Sequence, residues 1–295
     1  MLTTIGSHNC LLGEGPLWNP QQQLLYWTDI LNGTIFTYNP VDGAINTVFH
    51  CENTTGAFLF TENDDLVVFT EKGVLIANRR ENRYALNEDR LLFSVEMRAG
   101  ERFNDAIVDP AGCMIAGTNT NENVDGRLYS FFKGKSPKVL LDGLRITNGM
   151  GFSPDAKTFY HTDSPTYTIT AYDYDSEESN ISHPRPFFTL DQRLGVPDGM
   201  TVDADGNLWV ACWGGACVLH LSSAGKVIGT YHTPAMQTSS VCIGGKEMDT
   251  LFITSAAKGC TSITNPVDSQ GRYLGGLLYM QPIGAKGVPE YRARV

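Results

Sequence analysis

A chain of 295 residues, 42% hydrophobic and 18% charged, has the make-up of a globular protein that buries a real core, as one large all-β domain or two average ones. Its formal net charge of −10 would repel a phosphate backbone over most of the surface, which argues against a nucleic-acid partner and does not disfavour a cation. No apolar run approaches the ~20 residues that cross a bilayer, so no membrane partner is expected.

The start, Met1 to His8, carries neither a basic segment nor an apolar stretch, and no signal peptide is expected there. Six segments then share one plan: a short apolar strand, a tight polar turn and a second apolar strand. The first joins Gly15–Trp18 to Leu24–Trp27, the second Ala57–Phe60 to Leu66–Phe69, and the third Ala106–Val108 to Met114–Ala116. The fourth joins Met150–Phe152 to Thr158–Tyr160, the fifth Met200–Val202 to Leu208–Val210, and the last Val241–Ile243 to Leu251–Ile253. Their turns begin at Asn19, Thr61, Asp109, Ser153, Asp203 and Gly244, 41 to 50 residues apart. Asn, Asp, Pro and Gly fill these turns because they supply the preset or positive φ that tight hairpins need.

Further strand-like pieces, such as Thr34–Tyr38, Gly126–Ser130 and Thr168–Tyr172, lie between the repeats, and helical periodicity is lacking. That spacing is the length of a four-stranded propeller blade. The expectation is an all-β fold, a six-bladed β-propeller with four-stranded antiparallel blades, as a single domain over residues 1–295; a parallel α/β fold is the alternative. Chain ends in such rings usually share a blade, so residues 2–10 are expected to complete the blade begun by the last repeat.

Five positions before each turn stand Glu14, Gly56, Asn104, Asn148, Asp198 and Ser239. If the six innermost strands are equivalent, these side chains form one ring around the central channel. Four of them are carboxylates or amides, where strands are normally depleted in both. Any one could simply cap a strand or a turn. Four at one repeat position suit a hard cation better: a dication balances Glu14 and Asp198, Asn148 adds a neutral oxygen, and water completes the shell. Without it, two close carboxylates repel and one takes up a proton.

The segments Gly13-Glu14-Gly15-Pro16, Arg102-Phe103-Asn104-Asp105, Thr147-Asn148-Gly149-Met150 and Pro197-Asp198-Gly199-Met200 resemble, in order through the whole chain, those of the SMP-30/gluconolactonase family. The resemblance implies a six-bladed propeller that hydrolyses a sugar lactone at a metal held by Glu14, Asn148 and Asp198. It also implies that Asn104 lies beside that metal and touches substrate, and that Arg102 contacts the sugar. Glu122, after Ala116-Gly117-Thr118, matches a substrate-binding Glu through a loop that departs from the family pattern at Asn119-Thr120-Asn121. The implied metal is one divalent ion, calcium first, with zinc, magnesium, manganese or iron(II) as alternatives. Asp198 is the expected general base, weakened by its ion contact but sufficient for an activated ester.

Neither a Gly-x-Ser-x-Gly elbow nor a His-Glu-x-x-His motif occurs. His161 reads as a packed strand residue equivalent to Trp27, and Cys212 as a buried thiol. The aromatics Trp18, Trp27, Phe152 and Trp209 read as packing between blades. The seven cysteines form an odd set whose only close pair, Cys212 and Cys217, lacks redox or zinc spacing, which fits reduced thiols in a cytoplasmic protein. The expected partner is a small sugar lactone, with no obligate protein partner. The alternatives are another metal-dependent propeller hydrolase, acting on an organophosphate or a luciferin-type lactone, and a non-enzymatic calcium-binding propeller.

Overall fold

The computed structural model describes residues 1–120, 125–259, 266–269 and 271–295, with residues 87–90 as backbone. Its strands form six separate four-stranded antiparallel sheets, the blades of a propeller. The six innermost strands are Gly13–Asn19, Thr55–Phe60, Arg102–Val108, Thr147–Phe152, Val196–Val202 and Thr238–Gly244. Each begins one of the sequence repeats. Among the described residues there is no α-helix, only three 3-10 turns of three residues each, and no helix is long and apolar enough to cross a membrane.

Four of the repeat turns, those beginning at Asn19, Thr61, Asp109 and Asp203, share one hydrogen-bond scheme. Asp109 Oδ1 accepts from the amides of Ala111 and Cys113, both at 2.8 Å, and Asp203 Oδ1 from those of Asp205 and Asn207. Asn19 and Thr61 take the same place with an amide or hydroxyl oxygen. A short polar side chain at the first turn residue therefore satisfies turn amides that no strand reaches.

Blades adhere through apolar faces buried on both sides. Trp18 stacks on Phe252 of the last blade at 5.7 Å, Tyr26 meets Phe60 edge-on at 4.9 Å and Phe69 meets Phe103 at 5.2 Å. Trp27, Phe152 and Trp209 lie in clusters that each join two neighbouring blades. His161 is buried beside Phe159, and burial pushes its pKa down to about 3, so it packs as a neutral ring. Cys212 is fully buried; a hydrogen bond with Cys217, and then burial, push its pKa up, which leaves it an inert thiol.

Two terminal segments complete the ring. Thr3–Ile5 pairs with Leu278–Pro282 as the outermost strand of the last blade, in the register Thr3↔Met280 and Ile5↔Leu278. The C-terminal segment crosses one face of the ring as a strap. Gly287 N donates to Met248 O, Ala293 N to Phe60 O and Arg294 N to Gly112 O, while Arg292 pairs with Asp64. Between these anchors Glu290 lines the lower end of the central channel, together with Asp105.

Candidate functional site

All six innermost strands lose register with their neighbours at the ring position. The pairing skips between Glu14 and Leu17, Thr55 and Ala57, Phe103 and Asp105, Asn148 and Met150, Pro197 and Met200, and Thr238 and Ser240. A bulge frees a side chain from strand alternation and re-aims it. Here the bulges bring Glu14, Arg102, Asn104, Asn148 and Asp198 onto one pocket of about 270 Å³. The remaining ring positions take no part in it. Ser239 donates to Gly13 O at 2.5 Å, and a side chain at Gly56 would collide with the carbonyl of Phe103. Glu122 lies outside the described residues.

Glu14 and Asn148 are placed by a shared device. Asp29, at the end of the second strand of its blade, accepts from Leu12 N at 3.0 Å. Asp163, at the equivalent place, accepts from Ile146 N at 2.9 Å. Each aspartate thus clamps the backbone two residues before a pocket residue.

A chain of hydrogen bonds then crosses three blades. Arg102 Nη1 donates to Asn104 Oδ1 at 2.8 Å, and Asn104 Nδ2 donates to Asn148 Oδ1 at 2.7 Å and Thr147 O at 2.9 Å. Asn148 Nδ2 donates to Ser164 Oγ at 2.8 Å, and Ser164 Oγ to Pro197 O at 2.6 Å. Pro197 immediately precedes Asp198, so both amides are held in one orientation relative to the carboxylate.

Burial pushes the pKa of Glu14 well above the carboxylate range, and the charges of Asp198 and Asp105 push it the same way. Burial does the same to Asp198, reinforced by Asp105. Asp105, below them in the channel, is raised by burial to about 7. Burial lowers the pKa of Arg102, whose guanidinium is opposed in sign to Glu14 and Asp198. Two carboxylates that repel in a confined space, with an amide oxygen that keeps a free lone pair, are the all-oxygen donor set a hard divalent cation takes. Among the described residues no three His, Cys, Asp or Glu side chains gather closely enough to hold an ion by themselves. An ion in this pocket would therefore draw several ligands from water or substrate.

Seven pocket residues were not assigned to the site from the sequence: Leu12, Asn119, Ile146, Ser164, Val196, Trp213 and Lys258. Asn119 and Trp213 close the second strands of their blades, and Ser164 comes one residue after Asp163, which closes its own. The residue closing the second strand of each repeat is a signal that could have found Asn119 and Trp213, and Ser164 lies one residue beyond it. Lys258 sits in the loop after Thr250–Ser255 and carries no such signal. Leu12, Ile146, Val196 and Trp213 give the pocket an apolar wall facing the polar one.

The profile described as SMP-30/Gluconolactonase/LRE-like region matches residues 12–257. Pentonolactonase XacC of Haloferax volcanii is 32% identical over 298 residues, covering 100% of this chain and 98% of its own. Regucalcin of Oryctolagus cuniculus is 32% identical over 298 residues, covering 96% and 95%. The solved structure of a luciferin-regenerating enzyme superposes with a TM-score of 0.90 at 28% identity, covering 100% of this chain and 99% of its own. With a family profile that spans most of its length, a six-bladed ring and the family's motifs meeting in one pocket, the chain belongs to the SMP-30/gluconolactonase/LRE-like family.

Proposed function

We propose that the chain is a carboxylic-ester hydrolase that opens a sugar lactone to its aldonic acid in the pocket of Glu14, Asn148 and Asp198. The observation that carries this is the convergence there of two repelling carboxylates, a fixed amide oxygen and the Arg102–Asn104 pair. The relative named a pentonolactonase supports the same chemistry. Residues Glu14, Asn148 and Asp198 would hold a divalent cation, calcium first among the candidates, which would supply Lewis-acid polarisation of the lactone carbonyl.

Asp198 takes a proton from the attacking water as the water oxygen bonds to the acyl carbon. The bond from the acyl carbon to the ring oxygen then breaks, and the ring oxygen leaves as a hydroxyl carrying that proton. Asn104 cannot turn, because both Nδ2 protons and Oδ1 are engaged. Asn104 therefore holds Arg102 in place, and the remaining guanidinium N–H groups are presented to the sugar hydroxyls, which turns binding energy into orientation. A substrate role for Glu122 rests on the family resemblance alone.

The test is hydrolysis of a panel of aldonolactones by chelator-treated protein, before and after calcium, zinc, magnesium or manganese is restored. Turnover should require the ion and be lost in Glu14→Ala and Asp198→Ala. Asp198→Asn should cut kcat by about 10²–10⁴ while leaving the fold intact. Full activity in Asp198→Asn removes the base role. Tight ion binding without turnover of any lactone favours a different hydrolase or a binding protein on the same ring.

A further inference from the structure

The pocket holds a cation that this mechanism does not use. Lys258 lines it with Arg102, Glu14 and Asp198, yet its ammonium has neither a hydrogen bond nor an ion pair among the described residues. Partial burial, and then the like charge of Arg102, lower the lysine's pKa. Arg102 spends one guanidinium nitrogen on Phe103 O and Asn104 Oδ1, and among the described residues it forms no salt bridge. Two like charges thus line one pocket, and among the described residues neither is ion-paired; the carboxylates acting on Arg102 are Glu14, Glu71 and Asp198. Glu14 and Asp198 do not supply the missing charge once they hold a divalent cation, because their two negative charges are then matched. Lys258 reaches the pocket from an exposed position and Arg102 from a partly buried one, so an anion seated there gains two charge-assisted partners.

We propose that the lactone opened here carries an anionic substituent, seated between Lys258 and Arg102, so that the enzyme prefers an acidic sugar lactone to a neutral aldonolactone. This rests on the lactonase reading and narrows its substrate class. A carboxylate or a phosphate has the required chemistry, since both accept charge-assisted hydrogen bonds from lysine and arginine. Placed there, the substituent fixes the far end of the sugar, while the lactone carbonyl lies toward Asp198.

The experiment compares kcat/KM within two matched pairs. D-glucaro-1,4-lactone against D-glucono-1,4-lactone exchanges a CH₂OH for a carboxylate; 6-phospho-D-glucono-1,5-lactone against D-glucono-1,5-lactone adds a phosphate. The acidic member of at least one pair should be preferred by about tenfold or more, the effect of one charge-assisted contact. Which pair shows the preference names the anion. In Lys258→Met the ratio should collapse toward one, mainly through KM, and Lys258→Arg should restore most of it. A wild-type ratio at or below one in both pairs, or a ratio unchanged in Lys258→Met, overturns the proposal and leaves the lactonase reading standing. If no lactone is turned over, calorimetry with D-glucarate separates the two ideas. Binding that weakens about tenfold in Lys258→Met upholds the anion subsite while lactone hydrolysis fails, and equal binding by both proteins overturns the subsite as well.

Discussion

Asn104 is the residue on which most of the pocket turns. Its Nδ2 serves the Asn148 side chain and the Thr147 backbone, and its Oδ1 receives Arg102. Asn104→Asp keeps the shape but sets an acceptor against two oxygens and adds a third carboxylate beside Glu14 and Asp198. The variant should lose about 1–3 kcal/mol of stability in chemical denaturation, and kcat/KM should fall with it; a denaturation midpoint equal to wild type would show that these bonds are not formed. The polar ring itself was legible in the sequence, because acids and amides are out of place in strands and recur at a fixed distance from a turn. Lys258 was not, since a loop lysine is ordinary until the fold sets it beside one cavity.

Among the elements, the bulges set the geometry. Their existence could not be read from the repeats, because all six innermost strands bulge at the same position and an alignment of repeats with one another keeps its spacing. The adjoining glycines show how tightly the bulges pack. A Cβ on Gly149 would lie 2.5 Å from Asp198 O and 2.9 Å from Met200 N, backbone atoms that cannot step aside. A Cβ on Gly199 would meet the Ser240 side chain. Gly149→Ala is therefore expected to cost about 1–3 kcal/mol and to lower kcat, because relief of the clash moves Asp198. Thermal unfolding and single-substrate kinetics together check this, and a lowered Tm with unchanged kcat would show that the strain is absorbed elsewhere. The six-bladed architecture and its terminal closure were visible beforehand, because repeat length and turn chemistry are local; the C-terminal strap was not, because it follows no repeat.

At the level of the whole molecule, the strap places a carboxylate under the ring. Burial, and then the charge of Asp105, raise the pKa of Glu290 to about 7. In the unfolded chain the same group titrates near ~4.3. Between those values the folded state holds the extra proton, so Glu290 makes stability fall as pH rises through that window, with the full cost present above it. Glu290→Gln should match wild type near pH 4 and exceed it in Tm near pH 8; parallel Tm profiles for the two proteins would contradict this placement of the group.

The pairing of Thr3–Ile5 with Leu278–Pro282 has a consequence in the order of synthesis. The strand that seals the last blade leaves the ribosome before any blade exists, and its partner emerges only after every innermost strand has been made. Until then nothing locks the circumference, and the residues from the first, fourth and fifth blades that meet in the pocket have no fixed separation. A nascent chain released before Leu278 would carry all the proposed ion ligands on an unsealed arc, so competence to bind the ion should arrive abruptly, with the last strand, rather than accumulate blade by blade.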